Sequence, residues 1–441
     1  MIQRHVLRTA DRVAGAFGLL DRDLDGAGML DLAQRRCCLD GFDAAAVTEP
    51  LRVLLQAYSR EAELSLAGRT AARWDVMRFL SNLARMVEEE AARPALRDEP
   101  VTAPIFVTGL PRSGTTFLYR LLAEDGGHRV PLMWETIQPY PDPGPAPRRD
   151  PRPARVARNL RAFARLAPEF PSLHPVSATS PQECTEITAH LFRSLRFDTT
   201  HHVPSYRSWL DRAGHADAYR FHRRFLQHLQ AQDRTGRDGA APRRWVLKAP
   251  EHLFALDALL QAYPDANLVF VHRDPLQVLP SVARLTEVLR TPFTRRIDRA
   301  AIGRQVAGDW LAGAARMVEA SRSLPGRTRV VHVHYRDLVN RPLETVAGVY
   351  RGLGLGLSKT TALRVGRLLE REPQGGYGQN QYQFADYGLD PAQQRRRFQP
   401  YVEHFRVEAG YEAGAATPDT ARRAAPLPRP SAPARKAAPI A

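Results

Sequence analysis

Pro104 to Leu122 reads PIFVTGLPRSGTTFLYRLL, and its succession of an apolar run, a glycine-bracketed turn and a helical pattern predicts an α/β fold. Ile105, Phe106 and Val107 form a β-prone apolar strand that Gly109-Leu110-Pro111 brings to a stop. Ser113-Gly114-Thr115-Thr116 then brings small residues and backbone N–H groups to a helix N-terminus, whose dipole favours an anion. Gly109 and Gly114 have the Walker A spacing, but Thr115 stands where that pattern requires lysine. The cation of the loop is Arg112 instead. A planar guanidinium forks two oxygens of a phosphate or sulfate, which suits a phosphosulfate better than bridging β- and γ-phosphates beside Mg²⁺.

Two later stretches place charged side chains at strand ends in the same way. Trp245-Val246-Leu247 reads as a buried parallel strand, and Lys248-Ala249-Pro250 lies where it ends and a helix begins. In open α/β sheets ligands sit outside the carboxyl ends of the strands, so Lys248 falls at the chemically useful edge; capping a solvent edge is the plainer alternative. Leu268 to Val271 is a near-continuous apolar strand with Arg273 and Asp274 at its end. Pro275 opens a helix there, and Ser281 lies roughly two turns into it at ~3.6 residues per turn. Asp274 can imitate the metal-holding acid of a kinase, but the arginine before it and the missing loop lysine argue against that role.

Glu135 lies in the apolar segment Val130 to Thr136, beside Trp134. Apolar neighbours disfavour its ionised form, raising its pKa toward the range useful for a general base. His252 is an alternative base or a helix-surface histidine. Glu183 and Glu186 follow Pro181 at a predicted helix start, where the helix dipole accounts for both.

The segment Leu110-Pro111-Arg112-Ser113-Gly114-Thr115-Thr116 resembles the 5′-phosphosulfate loop of PAPS-dependent sulfotransferases, in the branch that holds the tyrosylprotein and bacterial enzymes. The strand followed by Arg273-Asp274-Pro275 and Ser281 resembles that family's 3′-phosphate site, and Lys248 with Pro250 resembles its strand-end lysine. The resemblance covers roughly Pro104 to Phe405 in blocks. It implies that Arg112, Ser113, Gly114, Thr115 and Thr116 hold the phosphosulfate, with Arg112 also acting in catalysis, and that Arg273 and Ser281 bind the 3′-phosphate of PAPS. Lys248 then stabilises the leaving oxygen, and Glu135 deprotonates the acceptor hydroxyl. The implied reaction is sulfuryl transfer from PAPS, as co-substrate, to a hydroxyl of a small molecule, lipid or glycan, with no metal. A P-loop kinase using Mg-ATP and a basic nucleic-acid-binding protein are the rival readings.

Composition sets the remaining bounds. The 441 residues suggest more than one structural unit, and 44% hydrophobic with 25% charged residues is ordinary for a globular enzyme. A net charge of +16 attracts anionic metabolites or polyanions. The arginines are spread along the chain without a nucleic-acid motif, which makes nucleic acid an unlikely partner. Cys37, Cys38 and Cys184 are too few for a disulfide framework or a zinc site, and a cytoplasmic location is the simplest expectation. No stretch approaches the roughly 18 apolar residues of a membrane span. The expected architecture is a P-loop-type parallel sheet flanked by helices over residues 100–412, with strands near Ile105, Val246, Val269 and Val331. An added N-terminal helical region occupies 1–99, and 413–441 form a disordered basic tail rich in Pro, Ala and Arg.

Overall fold

All four expected strands are present in the computed structural model, which describes residues 44–142, 149–234, 243–324, 326, 328–372 and 383–410, and isolated positions before Ala44. They are β1 (Ile105–Gly109), β3 (Arg244–Lys248), β4 (Asn267–His272) and β5 (Val330–His334); a two-residue strand β2 (His128–Arg129), too short to carry a periodic signal, joins them. The sheet order is β2-β3-β1-β4-β5, and every pairing is parallel. Parallel strands need helical crossovers that cover both faces, which is why β1 and β4 are buried along their whole length. Val107 lies opposite Lys248 and Gly109 opposite Val271. This register brings the phosphate loop, Lys248 and Arg273 out at one carboxyl edge.

Two helices precede the sheet, α1 (Ala44–Arg60) and α2 (Leu66–Ala92). They bury apolar stripes at Leu51, Leu54, Leu55, Tyr58, Leu80, Leu83 and Met86, with Met77 half-buried. Arg78 of α2 pairs with Glu186 at 2.6 Å. Glu90 accepts from Arg224, from Arg97 at 2.7 Å and from His228 at 2.9 Å. The N-terminal layer thus belongs to the same compact unit as the sheet, a unit that runs to Gly410.

Helix α3 (Thr115–Ala123) follows the phosphate loop. Next come α4 (Met133–Ile137), α5 (Arg152–Leu166) and α6 (Phe170–Leu173), which form an apolar cap. Met133 and Val156 are at its centre, with Trp134, Ile137 and Leu160 around them. Arg152 lies over Trp134 at 4.5 Å and donates to the Pro139 carbonyl at 2.9 Å, tying the residues just after α4 to the cap. After β4 comes α7 (Pro275–Arg290), with Pro275 in its first turn and Asp274 as N-cap, accepting from Leu276 N at 2.9 Å. A 25-residue helix, Arg299–Ser323, follows.

One face of the sheet packs Ile105, Val107, Val246 and Val269 against Leu118, Leu122, Val349 and Tyr350. Phe398 and Tyr401 are buried, and Phe405 stacks on His272 at 4.2 Å. Among the described residues no helix is long and apolar enough to cross a membrane. Cys37, Cys38, Gly375, Gly376 and residues 413–441 lie outside the described residues.

Candidate active site

The phosphate loop has the backbone its glycines predict. Gly109 has φ 150°, and a Cβ there would collide with the Val271 carbonyl oxygen of the neighbouring strand. Gly114, the N-cap of α3, has φ 97°, and its Cβ would sit 2.9 Å from the Tyr335 ring. Both positions demand glycine. Arg112 itself has φ 63°, a left-handed conformation uncommon for a non-glycine residue.

The Arg112 guanidinium reaches helix α7 and the end of α6. Its Nε donates to Ser281 Oγ at 3.1 Å, and its Nη1 donates to the Leu173 carbonyl at 2.8 Å. Arg273 Nη1 in turn donates to the Arg112 carbonyl at 2.7 Å, and the Arg273 guanidinium lies over the Tyr335 ring at 3.9 Å. Burial lowers the pKa of Arg273, and the nearby Arg112 charge lowers it further. Two guanidiniums held this close favour an anion between them. Ser113 Oγ is buried with no hydrogen-bond partner among the described residues. Thr115 is buried at the start of α3, and Thr116 Oγ1 accepts from Lys248 Nζ at 2.9 Å. The structure therefore gathers Arg112, Ser113, Gly114, Thr115, Thr116, Lys248, Arg273 and Ser281 at the carboxyl ends of β3, β1 and β4.

Glu135 is placed differently from the expectation of an apolar-flanked carboxylate. Arg129, on the strand the sequence did not reveal, donates to it from Nη1 at 2.9 Å and Nη2 at 2.6 Å. Glu135 also caps α4 by accepting from Leu132 N at 2.8 Å. Both of its oxygens are thus engaged. His252 is neither on a helix surface nor in the site: it is fully buried, bonded to Tyr219 OH and set edge-on to Phe106 at 5.0 Å. Arg284 pairs with Glu169 and Glu287.

Two residues enter the site without having been assigned there. Glu183 is not in a helical first turn: Pro181 bridges to Leu132, the helix begins only at Thr185, and Cys184 N donates to the Lys248 carbonyl at 2.9 Å. This lays Glu183 across the end of β3, where it pairs with Lys248 Nζ. Burial works to raise its pKa, but Lys248, His174 and Arg112 outweigh that and hold the carboxyl below its usual range. His174 ends α6. Burial pushes its pKa down to about 4; Glu183 opposes the shift, while Lys248 and Arg112 add to it. A single His-Pro after a four-residue helix carries no periodic signal, and only the fold brings it to the phosphate loop.

Two guanidiniums, an ammonium, four hydroxyls and a helix N-terminus can hold a ligand with two separate anionic groups and offset charge on an oxygen between them. Comparison with known proteins agrees with this arrangement. Residues 104–359, more than half of the chain, match the sulfotransferase family. The chain is 26% identical over 275 residues to the omega-hydroxy-beta-dihydromenaquinone-9 sulfotransferase Stf3 of Mycobacterium bovis and of Mycobacterium tuberculosis, a match covering 57% of this chain and 63% of those relatives. Among solved structures it is similar to the sulfotransferase STF1 of Mycobacterium tuberculosis H37Rv, at 32% identity and a TM-score of 0.71 over 85% of this chain and 98% of that one. It is also similar to STF9 of Mycobacterium avium, at 26% identity and a TM-score of 0.75 over 87% and 97%.

Proposed function

The chain belongs to the sulfotransferase family, and on that footing we propose that it moves the sulfuryl group of PAPS onto an acceptor hydroxyl by in-line displacement. The observation that carries this reading is the link between its two anion-binding elements: Arg112 bonds Ser281 at 3.1 Å while Arg273 bonds the Arg112 backbone at 2.7 Å. One nucleotide spanning the ends of β1 and β4 would meet both. Arg112, the Ser113 and Thr116 hydroxyls, Thr115 and the amides at Gly114 hold the phosphosulfate. Arg273 and Ser281 take the 3′-phosphate. Lys248 leaves Glu183 for the bridging oxygen, where negative charge grows as the sulfuryl group departs. Catalysis is chiefly positioning and fixed electrostatics. A Mg-ATP kinase is disfavoured by family membership and by Thr115 at the Walker lysine position.

For the acceptor we favour an alcohol on a largely apolar molecule. The apolar cap of Trp134, Ile137, Phe163 and Phe170 beside the loop supports this, as does the menaquinone derivative in the name of the mycobacterial relatives. Residues 100–412 form the catalytic part and 1–99 a helical addition to it. The buried free thiol of Cys184 fits a reducing, cytoplasmic compartment, and the mycobacterial relatives fit a bacterial enzyme.

Calorimetric titration with PAP, AMP and ATP, with and without Mg²⁺, tests the reading. PAP is expected to bind without metal and more tightly than AMP. Arg273→Ala should cost about tenfold to a hundredfold in PAP affinity and leave AMP binding nearly unchanged, the loss expected for a charged hydrogen bond. Preference for Mg-ATP, or no nucleotide binding, overturns it.

A further inference from the structure

We propose that His174 takes the proton from the acceptor hydroxyl, with Glu183 beside it stabilising the imidazolium that forms. The inference rests on the sulfuryl-transfer reading and assigns the one role that reading leaves without an available group. Glu135 has both oxygens engaged by Arg129 and by the Leu132 amide. His252 is fully buried, and Glu183 is the weaker base: burial works to raise its carboxyl, but Lys248, His174 and Arg112 outweigh that and hold it below its usual range.

His174 alone combines position with accessible nitrogens. Its neighbour Leu173 accepts from Arg112 Nη1 at 2.8 Å, which anchors the end of α6 on the phosphate loop. The His174 amide donates to the Phe170 carbonyl at 2.8 Å, closing the last turn, and Pro175 stops the helix there. The ring lies 5.8 Å from the Phe170 ring. It is half-buried, and neither ring nitrogen has a hydrogen bond among the described residues. The charged groups that act on it are Glu183, Lys248 and Arg112, the same groups that surround the reacting centre.

Burial keeps the imidazole neutral in the resting protein, ready to accept, with Lys248 and Arg112 adding to the effect and Glu183 opposing it. Bound PAPS adds negative charge against Lys248 and Arg112, which raises the proton affinity of the imidazole toward the working pH. The acceptor proton passes to an imidazole nitrogen as the acceptor oxygen forms its bond to sulfur. The bond from sulfur to the 5′-phosphate oxygen breaks, and its electron pair stays on that oxygen beside Lys248. The imidazolium then returns its proton to water.

The test follows PAP release from PAPS with 4-nitrophenol, phenol or 1-octanol as acceptor, alongside PAP titration. His174→Ala is expected to bind PAP as the native protein does. It should lose about 100-fold or more in kcat with phenol and 1-octanol, the usual share of general base catalysis. With 4-nitrophenol, which ionises near neutrality and needs little help, the loss should be several-fold only, and added imidazole should restore part of the phenol rate. Equal losses on all acceptors, unchanged rates, or the graded pattern appearing in Glu183→Gln and not in His174→Ala overturn the assignment. A native protein that binds no PAP refutes the sulfuryl-transfer reading itself.

Discussion

Glu251 is a carboxyl buried to 2% exposure, accepting from Thr188 Oγ1 at 2.6 Å, Ser194 Oγ at 2.9 Å and Leu195 N at 3.0 Å. Burial raises its pKa to about 7 against the opposing pull of those donors. The folded protein therefore keeps a proton that the unfolded chain releases near the ordinary carboxyl range. Its stabilising effect is fully present below that range and disappears as pH rises to about 7. The difference is on the order of 3 kcal/mol. The melting temperature should fall between pH 5 and pH 7.5 more steeply in the native protein than in Glu251→Gln. At the active site the sign is different: with His174 down at about 4, its imidazole stays neutral from pH 5 upward. The kcat/KM for PAPS should show no acid-side loss from this group until pH nears 4. Glu135 offers a third check. Removing one partner of its buried pair with Arg129 should cost roughly 3–5 kcal/mol, so Glu135→Gln is expected to lower the melting temperature and to lose activity in step with the folded fraction. Loss of kcat at an unchanged melting temperature would make Glu135 the base after all.

The junction of β1 and β4 tolerates no side chain at Gly109, because the Val271 carbonyl occupies the space a Cβ would need. Gly109→Ala should lower the melting temperature and weaken PAP binding together, since the same residue ends the strand and begins the phosphate loop. Asp274→Ala, which removes the N-cap of α7, should cost about 1 kcal/mol by thermal melting. These elements were legible beforehand for a common reason. A buried parallel strand is a continuous apolar run, its end is marked by Gly, Lys or Arg, and Pro opens the helix after β3 and β4, so β1, β3 and β4 and the positions of Arg112, Lys248, Arg273 and Ser281 could be read directly. What escaped depended on contacts between distant segments. β2 has two residues and no pattern of its own, yet its Arg129 decides what Glu135 does. Glu183 looked like part of a helical first turn, until the bridge from Pro181 to Leu132 and the bond from Cys184 to Lys248 laid that segment across β3. His174 had no local signature at all.

The helices before the sheet are part of what the catalytic region stands on. Phe79 of α2 meets His190, Phe192 and Phe197 edge-on at 4.8, 5.9 and 6.1 Å, and truncating such a side chain typically costs about 3–5 kcal/mol. A chain beginning at Pro100 would also strip Arg224 and His228 of Glu90. It should fail to give a soluble, PAP-binding protein, whereas a chain ending at Glu412 should bind PAP as the full chain does. The parallel sheet carries a further consequence, one of timing. β1 can pair with nothing until Val246 has been made, and its other neighbour begins only at Asn267. At the pace of ribosomal synthesis Ile105, Phe106 and Val107 wait on the order of ten seconds or more, apolar and unpaired, before either partner strand exists. The nascent chain is thus most vulnerable to aggregation over this interval, and it is then that a chaperone holding β1 would do most for the yield of folded enzyme.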